Sequence, residues 1–64
     1  MASVVAERLI ILRGNKTQKK VADDIGISQS TYAMYETGKR VPSDEKKKRI
    51  ADYYKKSVQS IFFD

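Results

Sequence analysis

Gly26 stands between two segments that each open on a helix-capping hydroxyl: Thr17 leads TQKKVADDI, and Ser28 leads SQSTYAMYETG. Almost no spacer separates them. A glycine accepts the left-handed backbone that ends a helix, and a serine or threonine caps the next one. Val21, Ala22 and Ile25 share one face of the first segment, while Ile27, Tyr32 and Tyr35 supply the apolar surface opposite. Ala22 matters because a larger side chain would hold the two helices apart. Two helices joined across a glycine turn, at about residues 17–37, form a helix-turn-helix arrangement.

The flanking sequence continues in helices. Val5, Leu9 and Leu12 recur at helical spacing after Ser3, which predicts a capped helix to about Arg13. Gly14-Asn15 closes it. Pro42 disfavours helix at Val41, and Ser43 caps a fourth helix to about Tyr54, with Asp44 and Glu45 where the helix dipole favours acids. SVQSIFF, residues 57–63, reads as a short closing helix. No segment alternates long enough to be a strand. The expected fold is all-α, five short helices in a single domain over 1–64.

With 64 residues the chain buries only about 60% of the surface its unfolded form exposes, which leaves little room for an enclosed substrate pocket. It has no cysteine and no histidine, so disulfides, thiolate metal sites and the commonest general base are excluded. Asp23-Asp24 and Asp44-Glu45 splay around their helices with no nucleophile or base beside them. An enzyme, a metal, a cofactor and a small-molecule ligand are therefore not expected. The net charge of +5 is compatible with a polyanionic partner. The longest apolar run, LIIL at 9–12, is too short to span a bilayer and follows no signal-peptide pattern, so a cytoplasmic location is expected.

The third helix carries the functional information. At 100° per residue Ser28, Tyr32 and Tyr35 point inward, whereas Ser30, Ala33, Met34 and Thr37 lie opposite, and Gln29 projects from the first turn. These outward groups are small or neutral, which suits a major groove. Gln29 offers the donor and acceptor pair that matches adenine N6 and N7, and Met34 and Ala33 suit a thymine methyl. Gln29, Ser30, Ala33, Met34 and Thr37 are the candidate base contacts. Thr17, Gln18, Lys19, Ser28, Thr31, Lys39 and Arg40 are the candidate contacts to the DNA backbone, with the free amides at the start of helix two forming a phosphate site.

The stretch TQKKVADDIGISQSTYAMYETGKRVPS, together with ERLIILRGNKTQ and SVQSIFF, resembles the phage-repressor and Cro-like (XRE-type) helix-turn-helix family over nearly the whole chain. The resemblance implies a five-helix domain that binds operator DNA as a homodimer on two-fold related half-sites. It implies a phosphate contact for Gln18, base-facing positions for Gln29, Ser30 and Met34, and a place beside the backbone for Lys39. The sequence departs from the family at Ile11, where many members carry an arginine that pairs with the glutamate matching Glu36; Arg13 is the candidate replacement. Lys46 and Lys47 share the face of Ile50, so their stems are expected along the core with the ammonium groups outside. Lys55 takes a helix-ending position where glycine is frequent. Ile10 and Ile11 fit either the core or a subunit contact. The expected function is a sequence-specific double-stranded DNA-binding transcriptional regulator of the repressor kind. The alternative is an antitoxin-like or bridging protein-interaction module of the same fold.

Overall fold

The computed structural model describes residues 4–63. Five helices follow one another: α1 (Val4–Arg13), α2 (Gln18–Ile25), α3 (Gln29–Thr37), α4 (Asp44–Tyr54) and α5 (Val58–Phe62), with no strand among the described residues. The expected cap at Ser3 lies outside the described residues. The caps expected at Thr17, Ser28 and Ser43 form, and Ser57 adds one that was not singled out. Thr17, Ser28, Ser43 and Ser57 each hold an extended backbone and accept a hydrogen bond from the amide three residues on, satisfying one of the helix's orphan donors.

Gly26 ends α2 at φ +91°, and its amide and that of Ile27 both return to the carbonyl of Ala22. The turn is fixed from the other side by Arg49, whose Nη1 donates to the Ile25 carbonyl at 3.3 Å. α4 ends instead on Lys55 at φ 57°, the one non-glycine residue with positive φ among the described residues. Its successor Lys56 closes the same kind of loop onto Ala51.

Leu9, Val21, Ala22, Tyr32, Ile50, Ala51 and Ile61 are sealed from solvent and draw on every helix. Tyr32 cannot bury its ring without a partner for its hydroxyl, and Tyr54 provides one at 2.7 Å. Burial and that bond push the Tyr32 phenol well above its ordinary range, so it stays neutral. Lys46 and Lys47 run their stems along the core as expected. The Lys47 side chain is only 15% exposed, and its ammonium lies 4.9 Å from the Phe63 ring centre and 5.8 Å from that of Phe62.

One carboxylate is buried with the apolar residues. Glu36 is on the inner face of α3, one position past Tyr35, with 3% of its side chain exposed. Arg13 Nε donates to it at 2.7 Å and Arg13 Nη2 at 3.2 Å, while Gln18 Nε2 donates at 3.0 Å. The pairing holds Arg13 charged, its pKa raised first by the hydrogen bond to Glu36. Arg13 is therefore the partner of Glu36, in place of the arginine that Ile11 displaces.

Two stability measurements follow. Arg13→Met leaves the Glu36 charge buried with Gln18 alone, and the cost is about 3 kcal/mol or more, a large share of the roughly 3–10 kcal/mol available to a domain of this size. Arg13→Met combined with Glu36→Leu recovers most of it, because no charge is stranded; urea unfolding followed by circular dichroism reads both. Lys55→Gly relieves the left-handed strain, and after the greater unfolded-state entropy of glycine is set against it the midpoint still rises, by less than about 1 kcal/mol in stability.

Candidate nucleic-acid interface

The turn at Gly26 brings the start of α3 beside the loop that leaves it. Ser28, Thr31, Arg40, Ser43 and Lys46 line a cleft of about 480 Å³ between the turn and the start of α4. Three hydroxyl-bearing and two cationic side chains line it, the chemistry that suits a phosphate, although Lys46 also lies 3.6 Å from the Glu45 carboxylate. Ser28, Thr31 and Arg40 were expected on this side. Ser43 and Lys46 were not singled out for it, and no local signal gives them, since their position depends on how α4 crosses the turn.

The hydroxyls at the head of α3 are ordered. Ser28 Oγ accepts from the Thr31 amide at 3.1 Å and donates to Thr31 Oγ1 at 2.8 Å. Thr31 Oγ1 is thereby an acceptor, and its own hydrogen has no partner among the described residues. Ser28 itself is exposed, where the helical wheel placed it inward with Tyr32 and Tyr35. The reason is its conformation: as a cap it has an extended backbone and lies off the helical wheel.

Gln29, Ser30 and Thr37 are exposed, and Ala33 and Met34 are half-buried outside the hydrophobic cluster. The structure thus brings these five onto the outer surface of α3, while Tyr32, Tyr35 and Glu36 face in. Gln18 is placed differently from a free phosphate ligand, because one of its N–H groups is committed to Glu36. Its second N–H and its carbonyl remain. Thr17 Oγ1 is engaged by the Lys20 amide at 3.0 Å.

The cations that flank α2 and α3 divide into two groups. Lys19 and Lys20 stand in the first turn of α2, where the helix dipole disfavours cations, but their charge does not stay there. Lys19 reaches Asp23 at 3.0 Å and Lys20 reaches Asp24 at 3.1 Å, each four residues on, which draws their charge towards the other end. Lys16 lies over the Tyr53 ring, 4.8 Å from its centre. Lys39 and Arg40, by contrast, are exposed and make no side-chain hydrogen bond or ion pair among the described residues.

Asp24 also ties the helix pair to α4, accepting from the Tyr53 hydroxyl at 2.7 Å. A helix-turn-helix family model matches residues 7–61. The chain belongs to the XRE-type helix-turn-helix family. Within that family it is 43% identical over 47 residues to the cryptic phage CTXphi transcriptional repressor RstR of Vibrio cholerae serotype O1. The match covers 73% of this chain and 42% of the relative, so the matched segment spans less than half the length of that protein. No solved structure matches it. No described helix is long and apolar enough to cross a membrane, and the described residues contain no cluster of three or more potential acidic metal ligands.

The Tyr53–Asp24 tie is testable by titration. Hydrogen bonds from Tyr53 first, and then from Lys20, hold the Asp24 carboxyl below its ordinary value of 3.8. A depressed carboxyl pKa contributes stability above the unfolded value and loses it as pH falls through the folded one. Tyr53→Phe removes the larger donor, so the Asp24 pKa rises towards 3.8 and the acid-side loss from this group shrinks. Carboxyl-carbon NMR titration checks the shift.

Proposed function

We propose that the protein is a sequence-specific double-stranded DNA-binding transcriptional regulator of the repressor kind, acting as a homodimer in the cytoplasm. One observation carries the reading: α3 turns a charge-free outer surface to solvent, while uncompensated Lys39 and Arg40 stand at its end. Base edges are read by neutral groups and phosphates are held by cations, so this division is the one a major-groove helix needs. The family membership and the similarity to a protein named as a phage repressor support the same function.

Gln29, Ser30, Ala33, Met34 and Thr37 face the bases. Thr17, Gln18, Lys19, Ser28, Thr31, Lys39 and Arg40 contact the sugar–phosphate backbone, joined by Ser43 and Lys46 through the shared cleft. Lys19 acts from its bond with Asp23 and contributes less charge than Lys39 or Arg40. Residues 1–64 act as one domain, and pairing of two copies sets two α3 helices on half-sites one helical turn apart.

A second reading, a protein-interaction module, is favoured by α1. Ile10 and Ile11 are 46% and 76% exposed, so they lie outside the core and are available for a contact. A groove of about 260 Å³ runs beside Ile11 towards Ile61. The two readings separate cleanly. Gln29→Ala with Met34→Ala abolishes DNA binding on the first and leaves partner binding intact on the second.

Selection of binding sites from a random duplex pool tests the function. The expected result is a motif of two inverted half-sites with centres about 34 Å apart. No enriched motif from a folded sample overturns the regulator reading. On the selected site, Lys39→Ala and Arg40→Ala each weaken binding to all sequences alike and lower the salt slope by about 1. Gln29→Ala costs about 1–3 kcal/mol and relaxes preference at one base pair.

A further inference from the structure

The outer surface of α3 has fewer hydrogen-bond donors than its residue types suggest. Thr37 Oγ1 donates its single hydrogen to the carbonyl of Met34 at 3.2 Å. Ser28 Oγ already gives its hydrogen to Thr31, so in its 3.3 Å contact with Ser30 the donor is Ser30. Both hydroxyls on this surface therefore turn their hydrogens back onto the protein. Ala33 and Met34 have none to offer. Gln29, exposed and with no side-chain hydrogen bond among the described residues, is the one group whose donors and acceptor are all available.

What remains is a single amide beside a strip of apolar groups: the Ala33 methyl, the Met34 thioether and the Thr37 methyl. Guanine presents two acceptors, N7 and O6, in the major groove, and this strip has no hydrogen to meet them. Covering them would leave two buried acceptors unpaired with no apolar contact in return, whereas thymine gives up only O4 and offers its methyl. Thymine alone among the four bases presents an apolar 5-methyl group on that edge.

We propose that α3 reads its half-site chiefly through thymine 5-methyl groups lying against Ala33, Met34 and Thr37, with Gln29 fixing the register on one adenine. The inference rests on α3 being the major-groove helix and names the base chemistry that this helix selects. Thr37 acts here as a methyl reader, its hydroxyl serving the backbone.

Deoxyuridine tests it, because uracil keeps the pairing edge and the O4 acceptor of thymine and lacks only the methyl. The site enriched from an ordinary random pool is resynthesised with each thymine replaced in turn by deoxyuridine, and affinities are compared at one salt concentration. The expected result is a loss of about fourfold at each of two or three positions, the affinity equivalent of one buried methyl group. Thr37→Ser, which keeps the hydroxyl and removes the methyl, weakens the thymine site by a similar factor but leaves one of the uracil-substituted sites unchanged. Equal affinity for thymine and deoxyuridine sites overturns the methyl readout while leaving α3 as the groove helix. A Thr37→Ser penalty identical on every site overturns the part assigned to Thr37. Absence of any enriched motif from the ordinary pool removes the DNA reading itself, and the methyl readout with it.

Discussion

The orientation of α3 depends on one carboxylate. Glu36 follows Tyr32 by four residues and so shares its side of the helix, which means that packing the tyrosine brings a charge into the core. A buried charge is tolerated only when it is paired and hydrogen-bonded. Arg13 from the end of α1 and Gln18 from the start of α2 provide three donors at 2.7 to 3.2 Å. These contacts are directional where apolar packing is not. Turning α3 by one residue about its axis would carry the carboxylate away from both helices and leave Arg13 without its partner. The clamp therefore determines which side chains face outward, and Ser30, Ala33, Met34 and Thr37 are outward because Glu36 must be inward.

The same carboxylate shows what can be read from sequence. Caps and glycine stops are local, and Thr17, Ser28, Ser43, Gly26 and Gly38 each specify a helix end from the identity of one residue and its neighbours. The helical wheel likewise separates the two sides of α3, failing only at Ser28, which precedes the helix and does not follow its period. The Arg13–Glu36 pair spans 23 residues. It was legible through resemblance to a family pattern, in which Arg13 replaces the arginine missing at Ile11, and not through any local rule. The pairing of Lys19 and Lys20 with Asp23 and Asp24 was written in KKVADD at the spacing helices use, and it removes the apparent conflict with the α2 dipole. Ser43 and Lys46 in the phosphate cleft had no such signal. Their place follows from the crossing of α4 over the turn, which Arg49 and Tyr53 hold from the far side.

Hydroxyl groups are a further case in which residue type misleads. Serine and threonine look like donors on a recognition surface, yet in a short helix they also satisfy backbone and cap. Ser28 must serve the first turn of α3, and its bonds then settle the directions available to Ser30 and Thr31. Thr37, near the last turn, is drawn to the carbonyl of Met34. The surface left after these local demands is more apolar than its composition, and within the Ser28–Ser30–Thr31 network it is the Thr31 hydroxyl, on the cleft side, that has no acceptor among the described residues.

Charge is distributed by the same logic. A domain this small has too little apolar surface to close its core with hydrophobic residues alone. Lys47 covers Phe62 and Phe63 with its stem and ammonium, Lys16 covers Tyr53, and Arg13 and Arg49 hold helices together. These cations count towards the net +5 but have structural work already. Lys39 and Arg40 do not, and they follow Gly38 immediately, in the loop that leaves α3. The amides of both residues return to Met34, which bends the chain back over the end of the helix and carries both side chains to its edge. An unpaired pair of cations at the edge of a neutral helix surface places attraction to phosphate beside the groups that discriminate between bases. Lys48, Lys55 and Lys56 are likewise exposed with no side-chain partner among the described residues, so it is the place of Lys39 and Arg40 beside α3, and not their freedom alone, that sets them apart.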